Sequence, residues 1–335
     1  MTRSENLLQR LLSQGRPLLA DGATGTNLFQ MGLVAGETPE IWNETHPERI
    51  RALHQSFVDA GADIILTNSF GGNARRLMLH KLEGRVHELN ALAAKNARAV
   101  ADAAGRPVVV AGSVGPTGDL LAPLGPLTAQ EAEDVFVEQI EGLKAGGIDV
   151  VWIETMSAPE EIRAAAKAAA RCAMPYCVTA SFDTAGRTMM GVTPADMAAL
   201  ATSLDPPPLA FGANCGVGAS DLLVSVLGMT GATPGAKVIA KANAGVPQWK
   251  GAEIHYSGTP ELMGKYAAYA VDSGAAIIGG CCGNSPEHLV AMRKALDERH
   301  RAERPSEESI VAALGPLASP PAKSGGAARE RRRGA

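Results

Sequence analysis

The chain has 335 residues, 46% of them apolar, and its 31 basic and 35 acidic side chains leave a formal charge of -4. That length buries a large core, and so balanced a charge excludes the basic footprint that nucleic acid or an anionic membrane calls for. With no secretory signal, no apolar run long enough to span a bilayer and only five cysteines, the chain is predicted to be cytoplasmic, with its thiols reduced.

Short runs rich in Val, Ile, Leu and Ala recur in chain order, each closing on Gly, Asn, Ser or an acidic residue and each followed by a helical pattern. "PLLADG" ends at Asp21, "ADIILTNSF" at Thr67 and Asn68, "PVVVAGSVG" at Ser113 and "IDVVWIET" at Glu154. "YCVTASFD" ends at Ser181 to Asp183, "LAFGANCG" at Asn214 and Cys215, "KVIAKANAG" at Asn243, and "AAIIGGCCG" at Cys281 and Cys282. Helical stretches such as "PERIRALHQSFVDAGA" and "TAQEAEDVFVEQIEGLKAGG" separate them. Strands that read as continuous apolar runs and alternate with helices predict a parallel sheet covered on both faces. Eight such units match a closed (β/α)8 barrel, a TIM barrel, better than an open sheet. The barrel is predicted over residues 1–303. Residues 304–335 contain "PLASPPAKSGGAA" and end in "RERRRGA", so they are predicted to form a flexible, solvated tail.

In such a barrel the chemistry sits at the C-terminal ends of the strands. Asp21, Glu154, Cys215, Asn243, Cys281 and Cys282 all fall there. Cys172 closes a helix and Cys177 lies inside the fifth strand, and both read as structural. Cys281 and Cys282 are adjacent, and adjacent cysteines pair only through a strained ring. With Cys215 on the sixth strand, they are predicted to bring three sulfurs together at the barrel mouth; burial as small core residues is the competing reading. Three thiolates are a soft ligand set that selects Zn2+ over magnesium or calcium, and three protein ligands leave a coordination position open. A zinc ion whose charge is already cancelled by thiolates is poor at making hydroxide. It suits binding a substrate thiol and presenting it as a thiolate.

The chain resembles the homocysteine S-methyltransferase family across residues 17–297. The resemblance is carried by "DGATGTNL", "GADIILTNSFGGN", "GSVGPTG", "IET", "FGANCG", "KANAG" and "IGGCCGNSPEH" in family order. It implies a zinc-bearing barrel that methylates homocysteine to methionine, with the zinc cysteines on Cys215, Cys281 and Cys282. It also implies that Asp21 and Glu154 hold the substrate ammonium, and charge-assisted hydrogen bonds suit that role. The backbone N–H groups of Gly22 and Ala23 are placed to take the substrate carboxylate, and Ser113 to line the same wall. Turn residues are the competing reading for Asp21 and Ser113.

Betaine users in the family need an aromatic cage for a quaternary ammonium ion. Their aromatic positions read Phe70-Gly71 and Thr155 here, in a chain only 4% aromatic, although Phe29, Trp42, Phe182, Trp249 and Tyr256 stand in loops. "ILTNSFGGN" and "KANAG" instead look like the homocysteine-binding half of cobalamin-dependent methionine synthases. That likeness implies that Asn243 occupies the open zinc position before substrate arrives; a strand-end cap is its structural alternative. The folate and cobalamin modules of full-length synthases do not follow, so a separate corrinoid protein is the expected methyl carrier. Betaine and a sulfonium such as S-methylmethionine are the alternative donors. Two readings from other classes stay open. One is an aldolase or isomerase with "IIGG" as a phosphate loop and Lys241 as a Schiff-base lysine; the other is a zinc or thiol store.

Overall fold

The structure is a computed structural model that describes residues 6–250, 253–300 and 302–318. Ten strands are present among them: β1 (Leu18–Leu19), β2 (Ile64–Leu66), β3 (Val109–Val114), β4 (Val150–Met156), β5 (Tyr176–Ala180), β6 (Ala210–Cys215), β7 (Val238–Ala242), β8 (Pro247–Lys250), β9 (Glu253–Tyr256) and β10 (Ala275–Gly280). Eight of them form one parallel sheet in the order β1-β10-β7-β6-β5-β4-β3-β2. A parallel bridge between Ala20 and Ile64 joins its two edges. This is the expected (β/α)8 TIM barrel. Among the described residues no helix is long and apolar enough to cross a membrane.

Side chains alternate between the two faces of each strand, and the barrel wall separates them into two apolar clusters. Leu18, Ile64, Val109, Ala111, Val150, Trp152, Cys177, Ala210, Ile239 and Ile277 fill the interior with Leu8, Leu11 and Leu12 of the N-terminal helix Leu7–Ser13. Leu19, Ile65, Val110, Val151, Val178, Phe211, Ala240 and Ile278 point outward under the helices. Continuing the inward positions by two residues reaches Ser113, Glu154, Thr179 and Lys241, and by four from Ala210, past Gly212, reaches Asn214. The wall therefore ends in a buried polar layer above the apolar one.

Helix starts follow local chemistry. Thr128 forms a reciprocal capping box with Glu131 at Ala129–Gly146, and Gly147 ends that helix with φ +97°. Proline occupies the first turn of Pro47–Asp59, Pro159–Arg171, Pro194–Ser203, Pro260–Asp272 and Pro286–Asp297, where its missing N–H has no partner to lose.

Two expectations change. The segment after "KANAG" is not a plain loop: β8 and β9 pair as an antiparallel hairpin, with Pro247 opposite Tyr256. The predicted tail also starts too early. Ser306 caps a helix over Glu307–Leu314 that buries Ile310 and Leu314, and Gly315 accepts from the Ser220 hydroxyl at 2.8 Å. Arg304 donates to Ser273 O, Leu227 O and Thr230 Oγ1 at 3.1, 2.9 and 2.7 Å. The i, i+4 spacing of Ile310 and Leu314 supplies an apolar face that the flanking Pro, Gly and Ala composition hides. Residues 319–335, including the basic run, lie outside the described residues.

Candidate metal and substrate site

The mouth of the barrel is built around the ends of β6 and β10. Cys215 closes β6 with φ +62°, and the two turn cysteines follow β10. The Cys281 N–H donates to Ala242 O at 2.7 Å and the Ala244 N–H to Cys282 O at 2.9 Å, so the cysteine turn is stapled to the end of β7. Asn284, fully buried, tightens it further: Nδ2 donates to Ala242 O at 2.9 Å and Cys281 O at 3.0 Å. The Sγ atoms of Cys215, Cys281 and Cys282 all lie within 4.8 Å of one another, with Cys215 and Cys282 3.9 Å apart. A tetrahedral ion with bonds of ~2.3 Å needs sulfurs about 3.8 Å apart.

The charges point the same way. Hydrogen bonds from Cys215 and Cys281, reinforced by the Tyr256 phenol, pull the Cys282 thiol down to about 3. Its bonds with Cys281 and Cys282 push Cys215 well above the ordinary thiol range. Charge on Cys282 thus opposes ionisation of its two neighbours. A cation is what lets all three ionise. Asn243, at the end of β7, donates from Nδ2 to Gly216 O at 2.7 Å, and its buried Oδ1 has no hydrogen-bond partner among the described residues. An orphaned acceptor of this kind is costly unless a ligand or ion meets it. Donor chemistry, spacing and the orphaned oxygen thus fit a metal ion.

Beside the sulfurs stand the two carboxylates. Glu154 Oε1 accepts from the Ser113 hydroxyl at 2.5 Å, and Oε2 from Asn214 Nδ2 at 3.4 Å. Burial, aided by the charge of Cys281, pushes the Glu154 carboxyl up to about 7. Asp21 is committed differently. Its Oδ1 accepts from Lys241 Nζ and its Oδ2 from the Leu66 N–H, each at 2.7 Å. Burial raises its carboxyl while the Lys241 ammonium opposes the rise. The Ala23 N–H donates to Asn284 O at 3.1 Å. This corrects the expectation that Ala23 offers its N–H to a substrate carboxylate: the donor is used in holding the cysteine turn. Gly22 packs tightly there, where a Cβ would lie 2.7 Å from Asn284 O.

Lys241, the lysine of the aldolase reading, is only 2% exposed and paired with Asp21. The glycines of "IIGG" lie within β10, where a Cβ on Gly279 would press on Ala20 and one on Gly280 on Asn284. Neither offers a phosphate cradle. Cys172 and Cys177 are buried away from the trio, as predicted. Of the loop aromatics, Trp42 and Phe182 are core residues and Phe29 is exposed, while the Trp249 side chain lies outside the described residues. Tyr256 instead packs against Gly283 and reaches Cys282.

Three residues at the site were given no role by sequence reasoning: Asn214, Asn284 and Tyr256 as a sulfur partner. The period-2 pattern of β6, with Ala210 facing inward, was the available signal for Asn214. None announces the other two, which depend on tertiary contacts.

The family model described as homocysteine S-methyltransferase matches residues 18–296. The methionine synthase of Mycobacterium tuberculosis is 30% identical over 328 residues, a match spanning 91% of this chain and 27% of that protein. Its counterpart in Mycobacterium leprae is 29% identical over 335 residues, with the same coverage. The chain therefore spans about a quarter of the length of these curated relatives. Among solved structures, the metallated form of the homocysteine methyltransferase MmuM from Escherichia coli superposes with a TM-score of 0.73 at 24% identity, covering 86% of this chain and 99% of that one. At that identity the likeness speaks for the fold.

Proposed function

The chain belongs to the homocysteine S-methyltransferase family, and from that premise we propose that it is a cytoplasmic, zinc-dependent enzyme that methylates homocysteine to methionine. One observation carries the proposal: three sulfurs within 4.8 Å of one another stand beside a buried carboxylate that, among the described residues, has no cationic side chain bonded to it. Cys215, Cys281 and Cys282 would hold zinc. Bound there, zinc supplies the positive charge that lets a fourth thiol, that of the substrate, lose its proton at neutral pH.

The chain's own residues do the rest. Glu154, oriented by Ser113, pairs with the substrate ammonium and supplies the uncompensated charge. Asp21 joins it while remaining neutralised by Lys241, and Gly22 offers its N–H to the substrate carboxylate. Asn243, held through Nδ2 by Gly216 O, would offer its Oδ1 to the metal in the absence of substrate. Methyl transfer forms the new S–C bond as the donor's bond to that carbon breaks, the electron pair leaving with the donor. In-line approach from the mouth with the methyl about 3 to 3.5 Å from sulfur meets this requirement.

The donor we propose is a methylcorrinoid on a carrier protein. Of the ten large apolar side chains exposed among the described residues, nine (Phe29, Val34, Phe70, Met78, Leu79, Leu120, Leu124, Met189 and Val246) lie in segments that follow β1, β2, β3, β5 and β7 on the mouth side. Apolar exposure concentrated on one face favours a macromolecular partner over a small soluble donor. Betaine would also have to be desolvated where Trp42 and Phe182 are core residues, the latter packed beside Gly216, and Thr155 stands in place of an aromatic side chain.

Metal analysis of the purified chain tests the centre. About one zinc per chain is expected, largely lost in Cys215→Ser, Cys281→Ser or Cys282→Ser and kept in Cys172→Ser. Full occupancy in Cys282→Ser would refute the site. For the donor, zinc-loaded protein and homocysteine should turn over faster with methylcobalamin than with betaine, and the reverse order would transfer the proposal to a small cation.

A further inference from the structure

Asn214 precedes Cys215 on β6, and its carboxamide is buried where three strands meet. Its Oδ1 accepts from the Thr155 backbone N–H at 2.8 Å and from the Thr179 hydroxyl at 2.6 Å. A backbone N–H only donates, so this contact fixes which end of the amide is oxygen. The Nδ2 end then faces the Thr155 hydroxyl at 2.7 Å, Glu154 Oε2 at 3.4 Å and Cys281 Sγ at 3.8 Å. One amide thus addresses a carboxylate on β4 and a sulfur just past β10.

The backbone around it is unusual. Thr155 has φ +60° and sits where the register between β4 and β5 shifts, between Ile153 and Met156. A β-branched residue in the left-handed region costs about 1–3 kcal/mol and persists only where its surroundings hold it. Asn214 holds it twice, through its N–H and its hydroxyl. A residue needed only to cap that bulge would have no reason to direct its remaining donor at Glu154 and Cys281.

We infer that Asn214 is a positioning residue that couples the two halves of the site, setting the Glu154 carboxylate toward the substrate ammonium while donating to the sulfur of Cys281. The inference rests on the metal and ammonium roles proposed above. Partners that hydrogen-bond to ligands orient them, and their loss typically costs roughly 10–100-fold in metal affinity.

Asn214→Asp separates this role from simple support. The aspartate keeps an acceptor for the Thr155 N–H and the Thr179 hydroxyl, so the bulge survives, but it turns a second, charged acceptor toward Glu154 and Cys281. Zinc affinity measured by chelator competition is expected to weaken by roughly 10–100-fold, and calorimetric affinity for methionine by roughly tenfold, with a lower melting temperature because the new buried charge faces Glu154. Asn214→Ala combined with Thr155→Gly frees the left-handed backbone and is expected to restore stability without restoring either affinity. Wild-type affinities in that double variant, or in Asn214→Asp, would reduce Asn214 to backbone support and overturn the inference. Wild type and Cys282→Ser are measured alongside. Wild type without zinc would overturn the metal reading and the inference together, whereas zinc-binding wild type with an unaffected Asn214→Asp would overturn the inference alone.

Discussion

Asp21 and Glu154 look interchangeable as strand-end carboxylates, yet their neighbours give them different duties. Asp21 neutralises a lysine that is itself only 2% exposed. Removing one partner of a buried pair leaves the other charge uncompensated, at a cost of roughly 3–5 kcal/mol. Asp21→Ala is therefore expected to lower the unfolding free energy by about that amount in a denaturant titration, whereas Glu154→Gln should unfold close to wild type and weaken methionine binding. The pH response follows from the same burial. A carboxyl raised from 4.5 to about 7 holds its proton more tightly folded than unfolded, so its ionisation costs stability as pH rises through that window. A bound ammonium needs the ionised form and offsets the cost. Methionine, which has no thiol proton to lose, is thus expected to bind more tightly as pH rises through about 7, and Glu154→Gln should show a flat profile in the same titration.

At the scale of elements, the helix Glu307–Leu314 and the hairpin β8 and β9 alter what the barrel alone would present. The helix is short and lies beyond the eight repeating units, but Ile310 is completely buried and Arg304 anchors its approach through three hydrogen bonds. Ile310→Ala should destabilise the chain by about 2–5 kcal/mol, as truncation of a buried aliphatic side chain does. A thermal melt unchanged from wild type would show that the helix is dispensable. The hairpin matters for position more than for burial. It ends at Tyr256, whose ring fills the space left by Gly283 (φ +80°), where a Cβ would lie 2.3 Å from the ring, and whose phenol meets Cys282.

For the whole molecule, site and wall share the same strands. Gly212 lies three residues before Cys215, and a Cβ there would come within 2.0 Å of Ile239 O on β7. Gly212→Ala should force β6 from β7, costing roughly 1–3 kcal/mol or more, and lower the melting temperature and zinc content together; loss of one without the other would show that the wall and the centre are independent. The barrel itself could be read from the sequence because its cause is local. Apolar runs of strand length, each followed by a helical period, call for a parallel sheet covered on both faces, and eight of them suit a closed barrel better than an open sheet. The strand ends, and with them the three cysteines and Glu154, came from the same pattern, since a barrel assigns its chemistry to those ends. Which partner each end residue takes was decided only in three dimensions. Lys241 faces Asp21 because β7 and β1 both flank β10, and Ala23 surrenders its N–H to Asn284, far away in the chain. The hydrogen-bonding reach of Asn214 across β4, β5 and the β10 turn likewise exists only once the sheet has closed. Period and composition record which face a residue occupies, whereas hydrogen bonds and ion pairs depend on distances between strands that no local pattern encodes.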